Sequence, residues 1–192
     1  MNLKAKLLKK TTVSSYSSRN STVYDDPMNK NFVYGKITID FVNRIKLQKT
    51  DEIIADIGCG TGFALDIMYD RIKKNNSKCF GIEPAKGMLK LAKEKFKSDK
   101  NLSFSEGTFA QIPLKDKSAD KIISTLALHW VPSLDDAILE LKRILKPKGS
   151  INILMIAKDD GEGFKQPIIR AMKNHLSFKQ IMKAAMLAQR VS

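Results

Sequence analysis

The order of apolar and polar positions along the chain predicts strands that alternate with helices. Apolar side chains at helical spacing predict a first helix over residues 27–47. Short β-branched runs predict five strands, at residues 52–56, 78–83, 102–105, 119–124 and 150–156. Further helical patterns lie at residues 63–73, 85–96 and 135–145, and a Lys-Pro-Lys-Gly run ends the last of them. This alternation is typical of a parallel sheet covered on both faces, so we expect an α/β fold.

The remaining segments predict how the chain is organised around that sheet. Residues 1–23 form a basic, Ser/Thr-rich arm, residues 24–157 form the domain, and residues 158–192 read as a helical segment. The fifth strand then lies at a sheet edge, where its backbone N–H and C=O groups lack partners. We expect a helix over about residues 165–189 to cover that edge, or two chains to pair through it as a homodimer.

Length and cysteine content limit the classes of protein to consider. A chain of 192 residues fits one domain with a substantial core. Its apolar runs fall short of the roughly 18 residues that a membrane span requires. Cys59 and Cys79 have no second Cys or His at metal-ligand spacing, so the sequence predicts neither a disulfide framework nor a metal site. A reducing compartment, the cytoplasm, is expected.

The net charge of +14 is concentrated towards the ends of the chain. Residues 1–50 alone carry ten Lys or Arg against three Asp or Glu. Such a surface attracts nucleic acid, anionic lipid or an acidic carrier protein, although a solvated lysine-rich surface accounts for the same charge. The basic stretch before Asp25 also leaves organellar import open as an alternative to the cytoplasm.

The strongest chemical signal is the glycine-rich loop DIGCGTG between a strand and a helix. Gly58, Gly60 and Gly62 allow positive φ and a close ligand approach, and the next helix directs its N-terminus at the ligand. A dinucleotide-binding loop has the same ingredients, but its spacing is G-x-G-x-x-G. Here Asp56 precedes the first glycine by two positions, and Glu83 ends the second strand 27 positions later. A carboxylate there can accept hydrogen bonds from both hydroxyls of a ribose.

Four segments in order, DIGCGTG, GIEPAKGML, EGTFAQIP and IISTLALHWVPSLDDAILELKRILKPKG, carry a family resemblance. Over about residues 24–156 the chain resembles the class I S-adenosylmethionine-dependent methyltransferases, in particular the type 11 group. The resemblance implies a Rossmann-like fold with a five-stranded, largely parallel sheet and helices on both faces. The usual strands 6 and 7 have no counterpart in the pattern. The implied cofactor is S-adenosyl-L-methionine, with no metal.

The resemblance assigns the glycine loop to the methionine part of the cofactor. Gly58 and Gly60 resemble the glycines that pack against that part, and Asp56 helps to orient its amino group. Cys59 and Gly62 complete the cofactor-binding loop. The glycine loop is therefore expected to contact the charged, methionine end of the cofactor.

The following strand ends are assigned to the ribose and the adenine. Glu83 resembles the ribose clamp, with Pro84 beside it, and Met88 resembles the apolar residue that lies against adenine. Many relatives then carry an Asp that bonds the adenine amino group, where this chain has Thr108. We expect backbone groups of Thr108 and Phe109 to take over that recognition.

The end of the fourth strand is assigned to the reacting part of the site. Ser124 and Thr125 are expected beneath the sulfonium. His129 and the following Trp130 match an LHW segment found in several relatives that methylate carboxylic acids. His129 is either a general base or a structural residue that lines the pocket. Tyr24 and the Asp after it resemble a pair with which the N-terminal arm covers the cofactor, and an exposed turn is the alternative.

These features favour a methyltransferase that acts on a small-molecule carboxylate or on an acyl thioester. It would be similar to the malonyl-acyl-carrier-protein and trans-aconitate methyltransferases, and an acidic carrier suits the basic surface. Two alternatives remain open. One is an RNA or protein methyltransferase, although the fourth strand lacks the Asn/Asp-Pro-Pro-aromatic tetrapeptide of amino-group base methylation. The other is a truncated remnant that binds the cofactor without turnover.

Overall fold

The computed structural model describes residues 33–156, and in them five parallel strands form one sheet with helices on both faces. The elements in chain order are α1 (Val33–Arg44), β1 (Ile53–Ile57), α2 (Phe63–Asn75), β2 (Lys78–Glu83), α3 (Lys86–Lys95), β3 (Leu102–Glu106), β4 (Ala119–Thr125), a 3₁₀ turn (Leu128–Trp130), α4 (Leu134–Ile144) and β5 (Leu145–Leu154). The predicted α/β class and five strands are confirmed. The predicted N-terminal arm, the segment 158–192 and the edge cover expected from it lie outside the described residues.

Alternate side chains of the central strands supply two separate cores. On one face, Ile54 of β1 and Ile123 of β4 pack with buried residues of α1 and α2. On the other face, Ala55 and Ile122 pack with α4, in particular with Leu141. Successive residues of a strand point to opposite faces, so each central strand contributes to both cores. None of the helices in residues 33–156 is long and apolar enough to cross a membrane.

The strand order β3-β2-β1-β4-β5 creates a switch point between β1 and β4. From β1 the chain proceeds outward to β2 and β3, and from β4 it proceeds outward on the other side to β5. The loops that follow β1 and β4 therefore diverge from neighbouring strands and leave a crevice at the carboxyl edge of the sheet. Ligands of open α/β sheets bind in such a crevice.

The start of β5 was predicted wrongly. It begins at Leu145, directly after α4, instead of at residue 150, and it ends at Leu154. The Lys-Pro-Lys-Gly run ends the helix as expected, but it lies in a bulge, because Ala119 pairs with Leu145 while Lys121 pairs with Ser150. Proline is accommodated at bulges and edge strands, since it has no N–H to donate. As predicted, β5 is an edge of the sheet in the described chain.

The inward face of α4 also differs from the predicted one. Spacing placed Ile138 with Leu141 and Ile144, but Ile138 is 50% exposed and Ala137 is fully buried. The buried stripe therefore follows positions 137, 141 and 144, a strict i, i+4, i+7 pattern. Helix α1 ends at Arg44, three residues before the predicted end.

Polar contacts that are buried or partly buried stabilise the amino-terminal edge of the sheet. The Asp120 carboxylate accepts hydrogen bonds from two backbone N–H groups at the start of β1, at 3.1 and 2.9 Å, and pairs with Lys146 at 2.8 Å. Lys121 Nζ lies 3.4 Å from the carboxylate of Asp51. The Ser77 hydroxyl donates to the Asp51 carbonyl at 2.6 Å. These contacts fix the strands at the edge opposite to the crevice.

Candidate functional site

The glycine loop after β1 borders open space at its middle glycine. Gly58, Gly60 and Gly62 all have positive φ, at 76°, 56° and 80°. A Cβ on Gly58 would lie 2.3 Å from Cβ of Ala127, and one on Gly62 would lie 2.8 Å from the ring of Phe96. A Cβ on Gly60 would meet nothing within 4 Å. Two of the glycines are therefore required by packing, and the middle one faces a space that a ligand can occupy.

The loop is held in place by the end of β2. The N–H groups of Gly58 and Cys59 donate to the Ile82 carbonyl, at 2.8 and 3.1 Å. The buried Glu83 carboxylate accepts from the N–H of Gly60 at 2.9 Å and from that of Ala85 at 2.8 Å. Burial raises the pKa of Glu83, and the two backbone hydrogen bonds oppose that rise.

Glu83 thus has a structural role that the sequence did not reveal, since it joins the glycine loop to the start of α3. Each carboxylate oxygen has about two lone pairs, so one backbone bond per oxygen leaves acceptor capacity for a ligand hydroxyl. The role of Glu83 as a ribose clamp remains a prediction, and it is compatible with these bonds.

Asp56, at the end of β1, is a buried carboxylate without a hydrogen bond. Its side chain is 0% exposed, and neither oxygen has a hydrogen-bond partner in the described chain. Burial, and secondarily the charge of Glu83, raises the pKa of Asp56 to about 7. A buried carboxylate is costly unless it is protonated or meets a cation. The loop therefore fits a ligand that carries a positively charged amino group.

A pocket of about 320 Å³ lies at the carboxyl ends of β2 and β3, and its lining residues are Pro84, Glu106, Gly107, Thr108, Gln111 and Pro113. It brings together two of the predicted site residues, Pro84 and Thr108. The N–H of Thr108 donates to the Gln111 carbonyl at 3.1 Å, and the N–H of Gln111 donates back at 3.0 Å. The Thr108 N–H is therefore engaged within the turn, and the recognition of adenine by backbone groups of Thr108 and Phe109 remains a prediction.

Two other residues at this end of the sheet are buried in the protein. Phe109 is 8% exposed and packs in the core on the α4 face, with its ring 3.4 Å from a Cβ built on Gly58. Met88 is 3% exposed in α3. The sequence analysis did not identify Gln111. This residue lies beside Thr108 because the two exchange a pair of backbone hydrogen bonds, and no residue type indicates such a pair.

The end of β4 carries a second buried polar group. Ser124 is 0% exposed, and its hydroxyl has no hydrogen-bond partner among residues 33–156. Thr125 is partly buried. The next residue, Leu126, has a φ of 53° and donates its N–H to the Leu154 carbonyl at 2.7 Å. This bend directs Ala127 onto Gly58, so the loops after β1 and β4 are in contact.

His129 lies in the 3₁₀ turn after that bend. It is 2% exposed, and its ring centroid is 5.1 Å from that of Trp130. The buried position suits a structural role, and the general-base role remains a prediction.

Of the remaining predicted residues, Cys59 is buried, which raises the pKa of its thiol and makes it a poor nucleophile. Tyr24 lies outside the described residues. Within residues 33–156, no three His, Cys, Asp or Glu side chains are grouped to hold a metal ion.

Comparison with known sequences gives a family match and several relatives. Residues 55–153 match a family whose model is described as a methyltransferase domain. The ubiquinone/menaquinone biosynthesis C-methyltransferase UbiE of Campylobacter jejuni is 34% identical over 119 residues, which cover 60% of this chain and 49% of that protein. The malonyl-[acyl-carrier protein] O-methyltransferase of a Marinomonas species is 36% identical over 101 residues, 52% of this chain and 36% of that protein. The chain thus spans about half, or less, of the length of these relatives.

Solved structures show the same architecture. A SAM-dependent methyltransferase from Aquifex aeolicus superposes with a TM-score of 0.57 and 26% identity, and the match covers 70% of each chain. A putative S-adenosylmethionine-dependent methyltransferase from Listeria monocytogenes, at 23% identity and a TM-score of 0.51, shares the fold. These matches confirm the predicted Rossmann-like fold. They imply S-adenosyl-L-methionine as the cofactor, and its amino group fits the unpartnered carboxylate of Asp56.

Proposed function

The chain belongs to the methyltransferase domain family, and on that premise we propose that it transfers a methyl group from S-adenosyl-L-methionine to a small-molecule carboxylate or an acyl thioester. The observation that carries the proposal is the buried, unpartnered carboxylate of Asp56 next to a glycine loop with open space at Gly60. The acceptor class is supported by the LHW segment and by the name of the malonyl-[acyl-carrier protein] relative.

The residues of the site have distinct tasks in this reaction. When bound, the cofactor supplies a methyl group activated by a positively charged sulfur, so the protein has to position the reactants and exclude water. Asp56 would hold the amino group in its ionised form. Glu83 would bind the ribose while it keeps the N–H of Gly60 in place. Ser124, at the end of the neighbouring strand, offers an unused hydroxyl to the reacting side.

A second candidate is methylation of a carbon atom, which the name of the Campylobacter C-methyltransferase supports. The two reactions differ in their demand for a base. A carboxylate is already a nucleophile, whereas a carbon acceptor has to lose a proton. His129 is the buried imidazole next to Trp130, and it is the candidate base for the second reaction only.

The test is mass spectrometry of products after incubation of the full chain with methyl-labelled cofactor. Separate samples contain a small dicarboxylate, malonyl-acyl carrier protein, a phenolic quinone precursor and RNA. Label as an ester on a carboxylate sample supports the proposal. Label on a ring carbon selects the second candidate, label on RNA selects the nucleic-acid alternative, and binding without label in any product indicates a remnant.

The variant His129→Ala separates the first two outcomes. For a carboxylate acceptor, we expect kcat at saturating cofactor to stay within about threefold of the unchanged protein, because no proton is transferred. For a carbon acceptor, kcat should fall by about a hundredfold or more, with cofactor affinity unchanged. Trp130→Phe is the control for altered packing beside the imidazole.

A further inference from the structure

The five parallel strands all begin at the amino-terminal edge of the sheet, so the segments around their starts lie side by side there. In the order of the sheet from β3 to β5, these segments are residues 97–101, 73–78, 46–52, 115–120 and 146–148. Contacts join neighbouring segments. The Asn75 amide donates to the Gln48 carbonyl at 2.9 Å, and Lys146 pairs with Asp120 at 2.8 Å. The five segments form one surface, which we call the amino-terminal face.

The positive charge of the described chain is concentrated on this face. Its five segments contain eleven Lys against five Asp or Glu. The other positions of residues 33–156 contain ten Lys or Arg and ten Asp or Glu, so they are balanced. The excess of positive charge therefore belongs to one edge of the sheet, opposite to the crevice, and is not spread evenly over the surface.

The acidic residues of the face are largely neutralised, whereas many of its lysines are not. Of its five acidic residues, all but Glu52 have a cationic partner within 4 Å. Exposed lysines that have no ion-pair partner among residues 33–156 occur in each of the five segments, and they include Lys49, Lys74, Lys78, Lys100, Lys117 and Lys148. Neighbouring strands are about 4.8 Å apart, so the row extends over about 20 Å. An extended anionic surface matches such a row.

The residue types of the face indicate an anion that is recognised by charge alone. The five segments contain no Phe, Tyr, Trp, His or Arg. Aromatic rings stack on the bases of single strands, and Arg is the preferred residue for phosphates and base edges of nucleic acids. None of the large apolar side chains that are exposed in residues 33–156 lies on the face, so it has no group to insert between acyl chains. Lysines alone suffice to attract anionic lipid headgroups.

The position of the face disfavours the docking of a carrier-bound substrate. The crevice lies at the other end of the strands, and the seven residues of β4 extend over roughly 23 Å. A carrier protein held on the face would present its acyl group at the wrong end of the sheet. The face is therefore suited to an anion that positions the whole enzyme.

We propose that the amino-terminal face holds the protein on an anionic lipid bilayer by electrostatic attraction, with the cofactor crevice open to water. The attachment is reversible, and it weakens with ionic strength because exposed charges are screened. It does not depend on the identity of the methyl acceptor. A crevice that faces water suits the small carboxylate or carrier-bound acceptor proposed above.

The experiment is co-sedimentation of the full chain with vesicles of phosphatidylcholine, alone or with about 30% phosphatidylglycerol. We expect at least about tenfold stronger binding to the anionic vesicles at about 0.1 M salt, and the loss of most of this binding at about 0.5 M salt. Lys78→Gln combined with Lys100→Gln should weaken the binding about 25-fold, at about fivefold for each lysine. Equal binding of the unchanged chain to both kinds of vesicle would overturn the inference.

Lys36→Gln combined with Lys90→Gln is the matched control, since it removes the same charge from exposed positions outside the face. It should change the binding by less than about twofold. Lys49→Gln combined with Lys148→Gln repeats the test at two other segments, so that a loss of stability in one pair does not decide the result. Equal weakening by the control pair, or unchanged binding in both face pairs, contradicts the inference.

Two further measurements test the partner and the orientation. If an RNA duplex of about 20 base pairs binds more tightly per phosphate than the anionic vesicles do, the partner is nucleic acid and the inference is overturned. Calorimetric affinity for S-adenosylhomocysteine should agree within about twofold with and without anionic vesicles, because the crevice is turned away from them. Loss of that affinity on the vesicles would place the crevice against the bilayer. If the chain does not bind the cofactor at all, the proposed function fails, and the result with vesicles stands independently.

Discussion

The two edges of the sheet differ in whether some of their buried polar groups lack a hydrogen-bond partner. At the amino-terminal edge, Asp51, Lys121 and Ser77 are buried and have partners. At the carboxyl edge, Asp56 and Ser124 are just as buried, and their side chains have no hydrogen-bond partner in the described chain. Buried polar groups in proteins are nearly always satisfied. One edge is therefore organised for stability, and the other retains binding capacity at a cost in stability.

This difference indicates which substitutions should affect folding and which should affect binding. Substitutions at the amino-terminal edge break satisfied interactions and should lower the free energy of unfolding. Substitutions of the unsatisfied groups at the carboxyl edge should leave stability unchanged or raise it, and should be detected through ligand binding.

The largest effect is expected for Lys121→Met. The substitution leaves the Asp51 carboxylate buried without the ammonium that now lies 3.4 Å away, and it removes a 2.7 Å hydrogen bond to Ser150. The free energy of unfolding should fall by about 3–5 kcal/mol. Urea denaturation followed by circular dichroism measures the loss. Lys146→Met is the control, because that side chain is 33% exposed and its pair with Asp120 should be worth about 1 kcal/mol. Equal losses would contradict the importance of burial at this edge.

A second pair of variants separates packing from binding within the glycine loop. In Gly58→Ala the new Cβ lies 2.3 Å from that of Ala127 at a φ of 76°, so the free energy of unfolding should fall by about 3 kcal/mol. In Gly60→Ala the Cβ enters open space at a φ of 56°, which costs about 1 kcal/mol of backbone strain. Its main effect should be on the ligand, with S-adenosylmethionine bound at least about tenfold more weakly.

Thermal unfolding and calorimetry on the same two samples measure both quantities, and Gly60→Val should abolish binding. Weak binding in a folded Gly58→Ala protein together with normal binding in Gly60→Ala would place the ligand elsewhere in the site.

The third prediction concerns the pH dependence of stability through Asp56. Its pKa in the folded protein is about 7, above the ordinary 3.8, because of burial and of Glu83. The folded state therefore binds more protons than the unfolded state between these values, and the free energy of unfolding falls as pH rises from about 4 to about 7. Asp56→Asn should remove this dependence and be more stable than the unchanged chain at about pH 8, by about 2 kcal/mol.

Urea denaturation at several pH values tests this sign, and a parallel dependence in both proteins would assign the titration to another group. The affinity for the cofactor should depend on pH in the opposite direction. An ammonium group prefers the ionised carboxylate, so affinity should increase as pH rises through about 7 in the unchanged chain and stay flat in Asp56→Asn.

The features that were predicted correctly from the sequence are those that local patterns determine. The central strands were found because residues such as Ile54 and Ile122 belong to continuous apolar runs, and the glycine loop because G-x-G-x-G follows one of them. The start of β5 was missed, because pairing with β4, and not local propensity, extends an edge strand through Pro147. The exposure of Ile138 was missed because it depends on which layer covers the helix.

The site was predictable to a similar degree. Asp56 and Glu83 were located by their positions at strand ends, but the hydrogen bonds of their carboxylates were not predicted. The Glu83 carboxylate accepts hydrogen bonds from two backbone N–H groups and the Asp56 carboxylate from none. This difference depends on the geometry of the loops, which the sequence does not reveal. The pairing of Thr108 with Gln111 likewise consists of backbone hydrogen bonds, which no residue type indicates.

The smallest and most selective prediction uses two serines, both 0% exposed, one at each edge. Ser77 donates to the Asp51 carbonyl at 2.6 Å and accepts from Asn75 at 2.9 Å, so Ser77→Ala removes two hydrogen bonds and should cost about 1–3 kcal/mol. The Ser124 hydroxyl has no hydrogen-bond partner in the described chain, so Ser124→Ala should be neutral or stabilising by up to about 1 kcal/mol. Both free energies follow from urea denaturation under identical conditions. A loss in Ser124→Ala equal to that in Ser77→Ala would mean that the carboxyl edge is as satisfied as the amino-terminal one, and that the unused hydroxyl is not reserved for a ligand.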